Sequence, residues 1–183
     1  MRIISGRHKG WILHPPKNLP VRPTMDKTKE ALFNILENRI SWDECNMLEL
    51  FAGTGNISLE AGSRGALSIT AVDQHIGCVK YIREISKTLA LDQILPIKSD
   101  VLKWIKTPPT KPYDLIFLDP PYAMPGQLEM VTQLLQGLWL APEGWLVWEH
   151  VSQSNYADLP GFVEKRVYGT TAFSFYHGIS EKS

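Results

Sequence analysis

No acidic residue occurs in the first 22 positions of this 183-residue chain, and only two cysteines, Cys45 and Cys78, occur in all of it. Two cysteines without paired spacing frame neither a zinc site nor a disulfide scaffold, so reduced thiols in a cytoplasmic protein are expected. No stretch approaches the 18 uninterrupted apolar residues of a membrane span, and the basic N-terminus lacks an apolar core of signal-peptide length. A soluble, cytoplasmic protein without a membrane partner is the expectation. His8, His14, His75, His150 and His177 are scattered, with no pair at metal-ligand spacing on one expected element, so no metal is expected. There is no internal repeat and no low-complexity tract. The formal net charge is zero, which excludes a polycation.

What is present begins with the distribution of that charge. Residues 1–40 hold eight Lys or Arg against three acids, a local excess of +5 that the remainder balances. Such an excess suits an anionic partner such as nucleic acid. At 44% hydrophobic and 21% charged residues the chain is rich enough in apolar side chains for one globular domain with a small appendage.

The pattern along the chain alternates. Residues 1–13 read as two short strands around a polar turn with a basic tip at Arg7, His8 and Lys9, a hairpin followed by a proline-rich connection. From Thr24, a plausible N-cap, a helix carries Leu32, Ile35, Leu36 and Ile40 on one stripe. An appendage over 1–23 and a main domain over 24–183 are the expected division. Seven strands follow: "CNMLELF", "ALSITAVD" ending at Asp73, Ile94 to Lys98 ending near Asp100, Tyr113 to Leu118 ending at Asp119, "GWLVWEH", "FVEKRVY" and "TAFSFYH". Helices are expected at 57–61, 75–91 and 126–137 between them. Strands alternating with helices imply an α/β fold with a mostly parallel sheet, in which ligands sit beyond the carboxyl ends of the strands.

Three acids fall at those ends. Gly53 and Gly55 of "FAGTGN" make the turn after the first of the seven strands, where a ligand can lie against bare backbone at a helix N-terminus. Asp73, twenty residues after Gly53, is placed to take both hydroxyls of a ribose. The third glycine of a dinucleotide fingerprint is replaced by Ser58, which disfavours a dehydrogenase. Asp100 suits an adenine amino group, or alternatively caps the next turn. Glu49 is an acid inside an apolar strand and wants a cationic partner. Adenine, ribose and an ammonium without phosphate describe S-adenosylmethionine.

"DLIFLDPPY" then acquires a chemical sense. Pro120 and Pro121 stop the strand and stiffen its exit. The Asp119 carboxylate and the Pro120 carbonyl are two acceptors that can hydrogen-bond both protons of an exocyclic amine and aim its lone pair at a methyl donor. Tyr122 offers a face for an extruded base, a contact of roughly 1–3 kcal/mol. Glu149 and His150, at the end of a later strand, are read as a polar pair there, although the acid could pose as a base. Trp104, Trp139, Trp145 and Trp148 are assigned to core and edges.

With "DPPY" after an apolar strand and "FAGTG" upstream, the chain resembles the amino-group methyltransferases of the class I Rossmann-like fold. "RIISGRHKG" and "VRPTMDKTKEALFNIL" are further similar to the RsmD-type enzymes that methylate N2 of a guanine in 16S ribosomal RNA, with guanine 966 as the family's target. The resemblance implies a seven-stranded methyltransferase domain with an N-terminal hairpin extension, acting as a monomer on 16S rRNA in the small subunit or its assembly intermediate. It implies S-adenosylmethionine contacts at Glu49, Phe51, Gly53, Gly55, Asp73 and Asp100. It places a catalytic pocket at Asp119, Pro120, Pro121 and Tyr122, and substrate contacts at Arg7, Lys9, Arg22, Thr24 and Asp26. Glu49 stands where the family usually has Asp, Trp11 where an arginine is expected, and Ser5 where glycine is frequent. An amino-methyltransferase for DNA adenine or cytosine, or for another RNA, is the alternative; a non-catalytic nucleotide-binding module would have no use for two acceptors aimed at an amine.

Overall fold

The computed structural model describes residues 1–17, 19 and 26–178. The chain divides into two compact units, Met1–Val101 and Leu102–Ser183. The expected appendage boundary at 23/24 and the N-cap at Thr24 lie outside the described residues.

The first unit opens with the N-terminal hairpin, reduced to one antiparallel bridge between Arg2 and Ile12 where two strands were expected. A segment this short has little ladder of its own, and its order comes from what it leans on. Ile3 and Leu13 are buried, whereas Trp11 and Ile12 are exposed. Helix α1 (Asp26–Leu36) ends before Ile40, and its buried face is Leu32, Phe33 and Leu36 together with Thr28 and Lys29. The expected stripe is thus corrected: Ile35 is half-buried and Ile40 lies past the helix. A short 3-10 turn (Trp42–Glu44) leads into β1 (Asn46–Leu50), followed by α2 (Asn56–Ser63), β2 (Ser68–Asp73), α3 (Ile76–Thr88) and β3 (Ile94–Lys98). β1 and β3 each pair with β2 in parallel. Buried runs such as Met47–Leu50, apolar except for Glu49, and Ala71–Val72 are what a strand covered on both faces requires. Cys45 and Cys78 are buried and not joined to each other, and burial and the Asp73 charge push the Cys78 thiol up to about 11.

The unit boundary falls within a four-residue helix, α4 (Val101–Trp104). The second unit continues with β4 (Tyr113–Leu118), α5 (Gln127–Gln136), β5 (Leu140–Val151), β6 (Phe162–Tyr168) and β7 (Thr171–His177). β5 runs parallel to β4, while β7 returns antiparallel to β5 and pairs antiparallel with β6. β5 starts four residues before the expected "GWLVWEH", because a bulge intervenes: Tyr113 pairs with Leu140 but Leu115 already with Trp145. Glu143 takes φ 64° beside Gly144 in that bulge. Trp139 and Trp148 are buried and Trp104 and Trp145 half-buried.

The seven strands form a mostly parallel sheet whose order reads β3-β2-β1 in the first unit and β4-β5-β7-β6 in the second. Among the described residues no helix is long and apolar enough to cross a membrane.

Candidate functional site

In the first unit the turn after β1 is built from backbone that ordinary side chains avoid. Phe51, Gly53 and Gly55 take φ 62°, 53° and 68°. A bulky residue at positive φ is an outlier, and such strain collects at ligand sites. At Gly55 a Cβ would sit 2.7 Å from Ile82 Cγ1, so the glycine is required by space as well as by φ.

Asp73, closing β2, holds this turn. Its Oδ2 accepts the Gly53 N–H at 2.8 Å and its Oδ1 the His75 N–H at 2.7 Å. One carboxylate thus ties the loops after β1 and β2, and by count each oxygen retains one acceptor site. Glu49 is buried in β1, and its Oε2 accepts both the N–H and the hydroxyl of Ser58 in the first turn of α2. The residue standing in for the third glycine therefore works as the acid's anchor. Asp100 is exposed just beyond β3.

The basic hairpin is seated on the same unit by a buried charge cluster that the sequence reading missed. Glu60 of α2 accepts the N–H groups of Ile4 and Ser5 at 2.7 and 3.0 Å. It also lies 3.3 Å from the Lys29 ammonium and 3.0 Å from Arg64 Nε. Lys29 further donates to Arg2 O and Asn56 Oδ1, and burial lowers its pKa against the raising effect of Glu60. Gly6 takes φ 79° and a Cβ there would collide with Ser63 O. Arg7 donates to Ser63 O through its backbone and to Ala90 O through its guanidinium, so it fastens the hairpin. Lys9 is exposed. Asp26 accepts the Arg2 N–H at 3.2 Å. Arg22 and Thr24 lie outside the described residues.

In the second unit Asp119 leaves β4 half-buried, with Pro120 buried and Pro121 and Tyr122 exposed, Tyr122 at 49%. The Tyr122 hydroxyl meets Thr171 Oγ1 at 3.2 Å. Gln127 clamps the loop, its amide donating to the carbonyls of Pro121, Tyr122 and Met124 at 3.0, 3.0 and 3.1 Å. That of Pro120 is not among them. Burial pushes the Asp119 carboxyl up to about 7.

Glu149 and His150 part company. His150 Nδ1 lies 2.8 Å from Val151 O, which can only accept, so this nitrogen carries the proton and Nε2 accepts from the Ser174 hydroxyl at 2.7 Å. Burial lowers its pKa, and it is a neutral, structural histidine. Glu149 is pushed up to about 8 by burial and by the charge of Asp119. Reading the two as one polar pair is corrected for the acid, whose partner is another carboxylate. The signal in the sequence was an acid near the carboxyl end of each of two strands, Asp119 just past β4 and Glu149 two residues before the end of β5.

A mostly parallel seven-stranded sheet with acids at its strand ends and a proline-stiffened Asp119 defines a class I, Rossmann-like methyltransferase. The chain belongs to the family of the ribosomal RNA small subunit methyltransferase D proteins: the model described as "Conserved hypothetical protein 95" matches residues 1–177. The Escherichia coli (strain K12) protein of that name is 30% identical over 180 residues, covering 96% of this chain and 89% of its own. YlbH of Bacillus subtilis (strain 168) is 30% identical over 182 residues, with 96% and 98% covered. The solved structure of YhhF from Escherichia coli superposes with a TM-score of 0.87 at 24% identity over 99% of both chains.

Proposed function

We propose that the chain transfers a methyl group from S-adenosylmethionine to the exocyclic N2 amine of a guanine in small-subunit ribosomal RNA. The cofactor supplies an electrophilic methyl on a sulfonium. The first unit suits it: the turn after β1 carries two glycines at positive φ, Gly53 and Gly55, which let a ligand approach the backbone, and Asp73 keeps acceptor capacity for ribose hydroxyls. Glu49 is assigned to its ammonium and Asp100 to its adenine.

One observation carries the reading: an acceptor carboxylate, Asp119, at a strand exit fixed by two prolines and by Gln127. An exocyclic amine is a poor nucleophile because its lone pair is delocalised into the ring. Hydrogen bonds from its two protons to Asp119 and the Pro120 carbonyl orient that lone pair, and orientation supplies most of the acceleration. Tyr122 stacks on the base. Family membership favours ribosomal RNA, since the relatives carry small-subunit rRNA methyltransferase names.

The test uses tritiated cofactor with naked 16S rRNA, small subunits or DNA. Label in rRNA or in small subunits, mapping to a guanine N2, is expected, and label confined to DNA would refute the substrate. Asp119→Ala is expected to lower transfer by about 100-fold or more with cofactor affinity little changed. Equal loss of both would make Asp119 part of the pocket wall.

A further inference from the structure

The register of β4 and β5 pairs Leu118 with Trp148, so the next residues, Asp119 and Glu149, stand side by side at the carboxyl ends of two parallel strands. Glu149 is 6% exposed, and its Oε2 has no hydrogen-bond partner among the described residues. Among the described residues no cation acts on it. From β4 the neighbour is Asp119. From β7 it is Phe173, flanked by Ala172 and Ser174, none ionisable. On β5 itself His150 is neutral and, by strand alternation, on the other face. From β6, Lys165 donates to the carbonyls of Ser152 and Ser154 and acts on His150, while Arg166 pairs with Glu164. Two adjacent anions in that setting are unfavourable, and one retained proton relieves them.

We infer that Glu149 is a positioning residue for the transfer: the Asp119 and Glu149 pair holds one proton, kept on Glu149, so that Asp119 alone presents the anionic acceptor to the substrate amine. This rests on the function proposed above. Burial raises both carboxyls; Glu149 is the more deeply buried and its Oε2 is unpartnered, whereas Asp119 is only half-buried, and this difference in solvation assigns the retained proton to Glu149. During transfer one N–C bond forms and one S–C bond breaks, sulfur keeping the electron pair. The surplus amine proton passes to the Asp119 carboxylate and from there to water. Once Glu149 ionises, repulsion drives the Asp119 side chain off its position.

The test is a carboxyl-carbon NMR titration of the full chain from about pH 5 to about pH 10, on the wild type, Glu149→Gln and Asp119→Asn. One carboxyl resonance should titrate far above ordinary carboxylates and vanish in Glu149→Gln. In Asp119→Asn its midpoint should fall by about one pH unit or more, because the neighbouring charge is gone. An unmoved midpoint in Asp119→Asn, or an ordinary one in the wild type, overturns the pair whether or not Glu149→Gln folds. Methyl transfer to small-subunit RNA is then followed across the same range. Wild-type activity should decline on the alkaline side and Glu149→Gln should lose that decline, which a merely structural glutamate would leave in place; equal declines overturn the positioning role. A wild type that methylates no RNA at any pH sinks the proposed function and the positioning role with it, while the NMR midpoints still decide the pair.

Discussion

Asp73, Glu60, Asp119 and Glu149 are four carboxylates in surroundings of low polarity, and their neighbours separate them. Asp73 accepts two backbone N–H groups, and Glu60 faces two cations. Glu149 has burial and a like charge, which act together to keep it protonated. Its folded-state pKa of about 8 lies above its ordinary value of 4.5, so the native state binds the proton more tightly than the unfolded chain does. That contribution to stability is fully present below the unfolded value and is lost as pH rises through about 8. Each pKa unit corresponds to roughly 1.4 kcal/mol, so the whole shift is of the order of a few kcal/mol. Glu149→Gln carries no charge to bury. Its stability relative to the wild type should therefore rise between about pH 5 and about pH 9, by at least about 1 kcal/mol in urea denaturation. A constant difference across that range would show that Glu149 ionises freely in the fold. His150, adjacent in sequence, acts in the opposite sense: burial lowers its pKa, so any loss of stability from it comes as pH falls.

At the scale of elements, α2 organises the first unit by receiving the hairpin, α1 and the glycine turn at once. Glu60 serves two backbone donors and two cations, whereas Lys29 serves one cluster with three acceptors. Removing either charge is unequal. Glu60→Leu leaves a wholly buried ammonium uncompensated and should cost about 3–5 kcal/mol. Lys29→Met leaves Glu60 its Arg64 partner and both N–H donors, and should cost about 1–3 kcal/mol for the unmatched acceptors. Denaturant midpoints should rank Glu60→Leu below Lys29→Met, with faster proteolysis of residues 1–13 in the former; the reverse order would place the weight of the cluster on the lysine. None of this cluster was legible in the sequence, since Lys29 lies on α1 and Glu60 on α2, and only Glu60 and Arg64 stand at i, i+4 spacing. The exit of β4 was legible because two prolines after an apolar run admit only one local structure. β6 and β7 were bounded by the Gly169-Thr170 turn between them, and β5 was cut short because its bulge at Glu143 and Gly144 imitates a loop.

The whole molecule has no net charge, yet it is electrically divided along its sequence, with +5 in residues 1–40 and the compensating acids elsewhere. A neutral protein gains no long-range attraction to a polyanion from its total charge, so any affinity for RNA has to come from a local cluster at short range. Such binding weakens steeply with salt, because each phosphate neutralised releases condensed counterions. The structure separates the cationic residues of that region into two kinds. Arg7 and Lys29 are engaged with carbonyls inside the first unit, and Lys29 is wholly buried. Lys9 and Lys17 are exposed. Lys9→Ala should therefore reduce the slope of log affinity against log salt by about 0.7–0.9, the release expected for one phosphate contact, without changing the denaturant midpoint. Arg7→Ala should behave differently, lowering stability through the lost seat on Ala90 as well as weakening binding. Filter binding of small-subunit RNA at several salt concentrations, beside a denaturation curve for each variant, measures both. An unchanged slope for Lys9→Ala would remove the hairpin tip from the RNA-binding surface and leave the proline-rich connection as the place to look for it.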